Sequence, residues 1–174
     1  MRAALKHFSG LLSLVFSLFV LPAGATGNCK VLDPDLAEGH YSGGCSEGLA
    51  EGYGEVRGDS LYRGDFKAGR KHGQGIKVMP NGDRYVGGFF EDYREGKGTY
   101  YWGPKTQWAG DYYSGDYVRD KRHGWGVYHW ANGDRYEGQW QQDTRTGPSV
   151  MEFRRAQSAN ACAEVQNTAL ACVP

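Results

Sequence analysis

The sequence predicts an all-β fold built from tandem β-hairpins, and three observations lead to this prediction. The pentapeptide Asn-Gly-Asp-Arg-Tyr occurs at 81–85 and again, letter for letter, at 132–136. A longer pattern of tyrosine, glycine and a second aromatic residue recurs around both copies at a nearly constant spacing, which indicates a repeat protein. The 174 residues include 27 glycines and 12 tyrosines, and aliphatic residues are scarce after position 26. This composition favours turns and aromatic-bearing strands over helices.

The first 25 residues have the features of a secretory signal peptide. A basic start at Arg2 and Lys6 precedes a mostly apolar run at 8–21, and Ala23 and Ala25 occupy the positions of a cleavage site. We therefore predict export, with cleavage after Ala25 and a periplasmic or secreted final location. The apolar run is shorter than the roughly 20 residues of a membrane helix, so an uncleaved anchor is the weaker alternative.

Removal of this segment leaves no strong charge on the chain. Residues 26–174 contain 18 lysines and arginines and 20 aspartates and glutamates, a net charge of −2. Such a balance provides no basic field for nucleic acid, so we expect no nucleic-acid partner. The length suits one domain.

All four cysteines, Cys29, Cys45, Cys162 and Cys172, lie after the predicted cleavage site. An even count in an exported chain indicates two disulfides. Three pairings fit this count, and we favour Cys29–Cys45 with Cys162–Cys172. One straight helix over 162–172 would place its two cysteines roughly 15 Å apart, too far for a bridge, so this pairing predicts a broken or non-helical tail. A lipid-modified Cys29 is disfavoured because Asn28 precedes it instead of a small residue.

Each repeat begins with a tyrosine, followed by glycine at +2, an aromatic residue at +4 and glycines at +11 and +13. Copies begin at 41, 62, 85, 113 and 136. In the first, Cys45 replaces the aromatic residue, and in the last, Ser149 replaces the final glycine. The repeat aromatics are Tyr62, Phe66, Tyr85, Phe89, Tyr113, Tyr117, Tyr136 and Trp140. The repeat glycines are Gly64, Gly73, Gly75, Gly87, Gly96, Gly98, Gly115, Gly124, Gly126 and Gly138.

The fourth copy has two registers. Trp108 and Tyr113 both satisfy the first half of the pattern, so an insertion of about five residues lies here. One register is the regular repeat and the other is a bulge or an extended loop. The sequence does not decide between them.

The pattern suits a hairpin. Positions 0, +2 and +4 of a strand share one face, and a glycine between two rings leaves room for a neighbouring ring or backbone. The residues after the glycine pair are β-branched or aromatic, as in strands. A polar loop joins the two halves, and Asn-Gly predicts a two-residue turn to the next repeat. A calcium loop would require several oxygen ligands at close fixed spacing, so we interpret Asn-Gly-Asp as a turn.

This pattern resembles the MORN repeat (membrane occupation and recognition nexus) over about 41–149, with its best copies at 62–75 and 113–126. The resemblance implies an elongated, twisted, single-layer antiparallel sheet. It also implies a role in protein assembly or phospholipid contact. We expect an N-terminal cap at 26–40, a repeat array at 41–149 and a C-terminal cap at 150–174, which holds the second cysteine pair and whose alanines permit a short helix. Ten strands would extend the sheet to about 45 Å.

Catalysis is not expected. The histidines after the signal are His40, His72, His123 and His129. His72 and His123 occupy the same repeat position and would project from separate units, so they would not converge on a metal or a nucleophile. No nucleotide-binding loop is present. We therefore predict a protein that is not an enzyme and has neither a cofactor nor a metal.

Our leading hypothesis is a non-catalytic exported scaffold that binds another protein. The alternative is a peripheral binder of phospholipid or cell-envelope glycan, with Arg70, Lys71, Lys121 and Arg122 as the lipid-contact residues. Nearby acidic residues largely cancel that basic field. Open sheet edges would also permit a homodimer.

Overall fold

The computed structural model describes residues 29–153, which form one open antiparallel sheet in which each strand pairs with the next along the chain. The strands are β1 (His40–Ser46), β2 (Leu49–Arg57), β3 (Leu61–Lys67), β4 (Arg70–Val78), β5 (Arg84–Phe90), β6 (Tyr93–Tyr101), β7 (Tyr112–Val118), β8 (Lys121–His129), β9 (Arg135–Gln141) and β10 (Thr144–Glu152). The described residues contain no helix, so the predicted all-β, single-layer fold is confirmed.

Some predictions concern other parts of the chain. The signal peptide, the tail from residue 154 onward and the cysteines Cys162 and Cys172 lie outside the described residues. Within 29–153 no helix has the length and hydrophobicity needed to cross a bilayer.

Each repeat forms one hairpin closed by a two-residue turn. In the third hairpin the turn is Glu91-Asp92, with φ angles of 47° and 74°. Positive φ at both central residues is the requirement of a type I′ turn, which matches the twist of the flanking strands. The other hairpins are closed in the same way by Glu47-Gly48, Ala68-Gly69, Arg119-Asp120 and Gln142-Asp143. The polar loops predicted within the repeats are therefore tight turns.

The Asn-Gly-Asp segments lie in longer connections between hairpins. Five residues, 79–83, separate β4 from β5, and of these Gly82 alone has positive φ, at 88°. The side-chain oxygen of Asn81 accepts a hydrogen bond from the backbone N of Asp83 at 3.0 Å, which forms an Asx turn. The same arrangement occurs at 130–134. A turn at Asn-Gly is thus confirmed, but its predicted two-residue geometry is wrong.

The repeat glycines make room for the repeat tyrosine. Gly64 pairs directly with Gly75 on the next strand, and the Tyr62 ring lies over this pair. A Cβ atom on Gly75 would lie 2.5 Å from the Tyr62 hydroxyl oxygen, and one on Gly64 would lie 2.5 Å from the Gly75 Cα. Gly73 has a φ of 55° in a bulge, where the register shifts between Gly64 and Asp65. The two halves of the sequence pattern therefore serve one packing arrangement.

The repeat aromatics form a buried row along one face of the sheet, which we call the aromatic face. The Tyr62 ring meets Phe66 of its own repeat edge-on at 4.9 Å and Phe89 of the next repeat at 5.3 Å. This T-shaped geometry is one that aromatic pairs prefer. Tyr85 and Tyr113 make the equivalent contacts farther along. All eight repeat aromatics are at most 4% exposed, so the row is the core of the array.

Residues 29–39 close the N-terminal end of the aromatic face. Leu36 is 2% exposed within the core cluster. The backbone N of Leu32 donates to the carbonyl oxygen of Gly69 at 2.8 Å. A disulfide joins Cys29 to Cys45, which confirms this half of the favoured pairing. The segment is thereby fixed to the sheet at several points.

The structure identifies the regular register of the fourth repeat. Strand β7 begins at Tyr112, so the tyrosine of this repeat is Tyr113. Residues 102–111 form a loop between β6 and β7, closed by a 3.0 Å bond from the backbone N of Trp102 to the carbonyl oxygen of Asp111. Trp108 lies in this loop and is 50% exposed.

Candidate functional site

Neighbouring hairpins are joined by a recurring contact that we call the carboxylate clamp. Arg122 donates to Asp143 Oδ1 through its backbone N at 3.0 Å and its Nε at 3.1 Å. The backbone N of Asp143 donates in return to the Arg122 carbonyl oxygen at 3.0 Å. Arg94 and Asp120 make the same three bonds one junction earlier. In each clamp the carboxylate belongs to the second turn residue of one hairpin. The cation belongs to the preceding hairpin, where it lies two residues before the Gly-x-Gly.

The clamp arginine also lies against a ring of the aromatic row. The guanidinium carbon of Arg122 lies 4.3 Å from the Trp140 ring centroid, within cation–π range. Burial alone would raise the pKa of the Asp143 carboxyl. The hydrogen bonds from Arg122 and Lys121 outweigh that effect and hold the pKa below its ordinary value. Both charged side chains of the clamp therefore make contacts within the protein.

Lys71 is the most enclosed of the clamp cations, being 2% exposed. Its Nζ contacts the carboxylate of Asp33 in the N-terminal segment and lies 3.4 Å from Asp92 Oδ1. Burial lowers the pKa of Lys71 to about 8, neighbouring Lys77 acts in the same direction, and the Asp92 carboxylate opposes both. Because Asp33 is also buried, this pair ties residues 29–39 to β4.

The four residues of the lipid-contact hypothesis do not form an open basic surface. Lys71 is buried, and Arg122 is bonded to a carboxylate and stacked on a ring. Arg70 and Lys121 reach solvent, but each is paired with the turn aspartate of the next hairpin, at 2.8 Å and 3.2 Å respectively. Lys71 is therefore not available to a lipid phosphate, and Arg122 contributes mainly to packing.

A groove of about 490 Å³ lies on the aromatic face, beside the N-terminal segment. Tyr85 and Phe89 of the aromatic row line it, together with Tyr100 and the half-exposed Tyr93. Charged residues of both signs surround these rings: Asp33, Asp35, Glu91, Asp92 and Asp120 with Arg70, Lys71, Lys77 and Arg94. Burial raises the pKa of the Tyr85 phenol further above physiological pH, so this ring adds no charge to the groove. The groove thus combines aromatic surface with mixed charge.

The histidines are not brought together. His72 pairs across the strands with Asp65, and His123 pairs with Asp116, in two separate hairpins. In the part of the chain from 29 to 153, no group of three or more histidine, cysteine, aspartate or glutamate side chains is placed to hold a metal ion.

Sequence reasoning misses the aspartates that organise the connections. Asp83 is 5% exposed, and its Oδ2 accepts a 2.5 Å hydrogen bond from the Tyr100 hydroxyl. Asp111 and Tyr128 form the equivalent pair one repeat later. A signal for these residues exists, because each aspartate lies two positions before a repeat tyrosine. The clamp aspartates likewise recur seven positions after that tyrosine.

The geometry defines a tandem-hairpin repeat protein with an aromatic face and a mixed-charge groove. The family model of the MORN repeat matches residues 62–84, 85–107, 113–135 and 136–154. The chain therefore belongs to the MORN repeat family. MORN repeats are generally modules for interaction with proteins or membranes, and the family is generally non-catalytic.

Among curated proteins, the chain is similar to Alsin from Rattus norvegicus, Mus musculus and Homo sapiens. It is 34% identical to each of them over 119 residues, which is 64% of this chain. The chain spans 7% of the length of these relatives. The similarity therefore concerns a repeat-bearing part of much longer proteins.

Proposed function

We propose that this chain is a non-catalytic, exported scaffold that holds a partner protein in the groove of the aromatic face. The observation that carries the proposal is the mixed charge around aromatic surface in that groove. Arginine and tyrosine are enriched at protein interfaces, and complementary charges of both signs fix the orientation of a partner. The expected partner segment carries an apolar side chain between charged residues.

The charges of the groove are unsuited to a lipid headgroup. The five carboxylates outnumber the four cations there, and Lys71, one of those cations, is buried and does not reach the surface. A protein segment can instead meet both signs of charge at once.

A matched pair of variants tests the groove. Glu91 at its rim and Gln142, the equivalent first turn residue of the last hairpin and outside the groove, are both exposed. Glu91→Lys should weaken capture of the partner from the exported fraction at least tenfold, because it reverses one of the charges that orient the partner. Gln142→Lys should leave capture unchanged, and both variants should melt within a few degrees of the wild type. Equal capture by all three proteins would reject the groove as the binding site.

A peripheral membrane role is the second candidate, and one observation favours it. Phe90 and Tyr93 pair across the third hairpin beside its turn, and both are about half exposed. Exposed aromatic residues near a cation such as Arg70 are typical of surfaces that enter the membrane interface. The glycan alternative has no comparable observation and stays a prediction.

Flotation with neutral and anionic liposomes, at low and physiological salt, separates the two candidates. The scaffold proposal predicts no flotation under any of these conditions. Flotation with anionic vesicles that weakens with salt, and that is lost in Arg70→Ala/Lys121→Ala, would replace it with the membrane role.

Export is tested separately by N-terminal sequencing of the protein recovered outside the cytoplasm. The expected first residue is Thr26, directly after the predicted cleavage at Ala25. Recovery only inside the cell, with residues 1–25 retained, would contradict export.

A further inference from the structure

The last hairpin carries the cationic half of a carboxylate clamp. Arg145 lies two residues before Gly147, as Arg122 lies before Gly124. Its guanidinium carbon is 5.3 Å from the Tyr136 ring centroid and 5.6 Å from that of Trp130. Between residues 29 and 153, no carboxylate is ion-paired with Arg145. Glu152, the one acidic residue of β10, lies at the opposite end of that strand and is paired with Arg135 at 3.3 Å.

Arg145 lies on β10, and this strand has one open edge among the described residues. Of the described strands, only β9 pairs with β10, and most of β10 is exposed, including Val150 at 53% and Met151 at 40%. A space of about 230 Å³ opens here, lined by Tyr136, Arg145, Thr146, Gly147, Ser149 and Met151. At interior junctions the corresponding place is occupied by the next hairpin.

We propose that this edge is a docking site for a β-hairpin of a partner protein that carries an aspartate in its turn. The partner strand would extend the sheet at β10 by backbone hydrogen bonds, which is a common mode of recognition at open edges. Its carboxylate would bind Arg145 as Asp143 binds Arg122. Three interior junctions show what occupies this position, so the proposal rests on charge and geometry already present in the molecule. It concerns a surface separate from the groove.

A second copy of the chain added head to tail does not supply this carboxylate at the position of the clamp aspartate. Joined head to tail, it would present the first turn, Glu47-Gly48, to Arg145. Gly48 occupies the place of the clamp aspartate, so the contact would lack its ion pair. The requirement for a turn aspartate therefore favours a different protein.

The chain itself provides a suitable probe. A synthetic peptide of residues 112–129 contains β7, β8 and the turn aspartate Asp120, the natural partner of Arg94. Titrated into the isotope-labelled full-length protein, it should shift the backbone amide signals of β10 and leave those of β1 unchanged. The same peptide with Asp120→Asn should bind at least tenfold more weakly, because a charge-assisted bond is lost while the protein is unaltered. Arg145→Gln in the protein should weaken binding of the first peptide to the same extent.

Four results would overturn the proposal. Equal binding of the two peptides, or signal changes away from β10, would show that the clamp does not select the ligand. Self-association of the wild type that Arg145→Gln abolishes would assign the edge to a second copy. Binding that strengthens markedly in a Glu164→Gln variant would assign the edge to the chain's own C-terminal segment, whose sequence contains that one acidic side chain after residue 153.

Discussion

The two ends of the described sheet differ in how far the aromatic face and its edge are covered. At the N-terminal end, residues 29–39 lie across the first hairpins, held by the Cys29–Cys45 disulfide, the buried Leu36 and the contact of Asp33 with Lys71. At the other end, β10 has an exposed edge and a clamp cation with no carboxylate among residues 29–153. Repeat arrays need distinct terminal structures because each unit is stabilised mainly by its neighbours.

The difference teaches that one repeat supplies only half of each junction. The tyrosine ring of a repeat packs against the +4 aromatic residue of the next, and its clamp cation binds the next turn aspartate. The first hairpin therefore needs cover on its outer side, whereas the last needs a carboxylate and a strand. Substitutions should therefore lower the free energy of unfolding most inside the array and least at the open end.

The largest effect is expected from Gly64→Val. The new side chain would collide with the Gly75 backbone and the Tyr62 ring, neither of which can move without opening the pair. We expect a loss of more than about 3 kcal/mol of unfolding free energy, or failure to fold. Ser114→Val is the matched control, since valine suits an exposed strand position, and it should stay within about 0.5 kcal/mol of the wild type. Urea unfolding measures both, and equal midpoints would contradict the packing account.

Next in size is the contrast between Leu36→Ala and Val150→Ala. Leu36 is 2% exposed in the cap, whereas Val150 is 53% exposed on β10. Truncation of the buried side chain should cost about 3 kcal/mol, and truncation of the exposed one less than about 1 kcal/mol. Similar losses measured by urea unfolding would show that the two ends are equally covered.

The disulfide gives a comparable but smaller effect at the closed end. Replacing Cys29 and Cys45 together by alanine should cost about 2–3 kcal/mol, because the 16-residue separation no longer restricts the unfolded chain. Thermal melting should show the loss, and reduction of the wild type should reproduce it. A melting temperature unchanged by both treatments would exclude a stabilising role for this bond.

The smallest effect is expected from Asp143→Asn, and it should depend on pH. The clamp lowers the pKa of this carboxyl in the folded state, so its contribution is present above about pH 4 and is lost as the pH falls through the folded value. After allowance for solvent screening, the variant should be about 1 kcal/mol less stable at pH 7. The gap to the wild type should narrow as the pH falls below about 4 and the carboxyl becomes protonated in the folded protein. A gap independent of pH would mean that the carboxylate charge does not contribute.

The repeated features were predictable from the sequence, and the contacts between distant segments were not. A fixed offset from each tyrosine predicts the hairpins without any tertiary information. The turn geometry is less predictable, because the Asn81 side chain bonds the backbone of Asp83 and holds its own φ negative, which overrides the usual preference of Asn-Gly. Burial of Lys71 depends on Asp33, 38 residues away, and composition contains no signal for that pairing.

Native-state amide hydrogen exchange on the full-length protein tests the contrast between the ends most directly. Exchange reports local opening, strand by strand. Both β1 and β10 are edge strands, so the informative comparison is between the second strands from each end, β2 and β9. We predict that β2, whose Ala50 amide donates to Lys30 of the N-terminal segment, is protected nearly as well as the middle of the sheet and at least tenfold better than β9. Equal protection of β2 and β9, or faster exchange at β2, would contradict a covered N-terminal end and an uncovered C-terminal end.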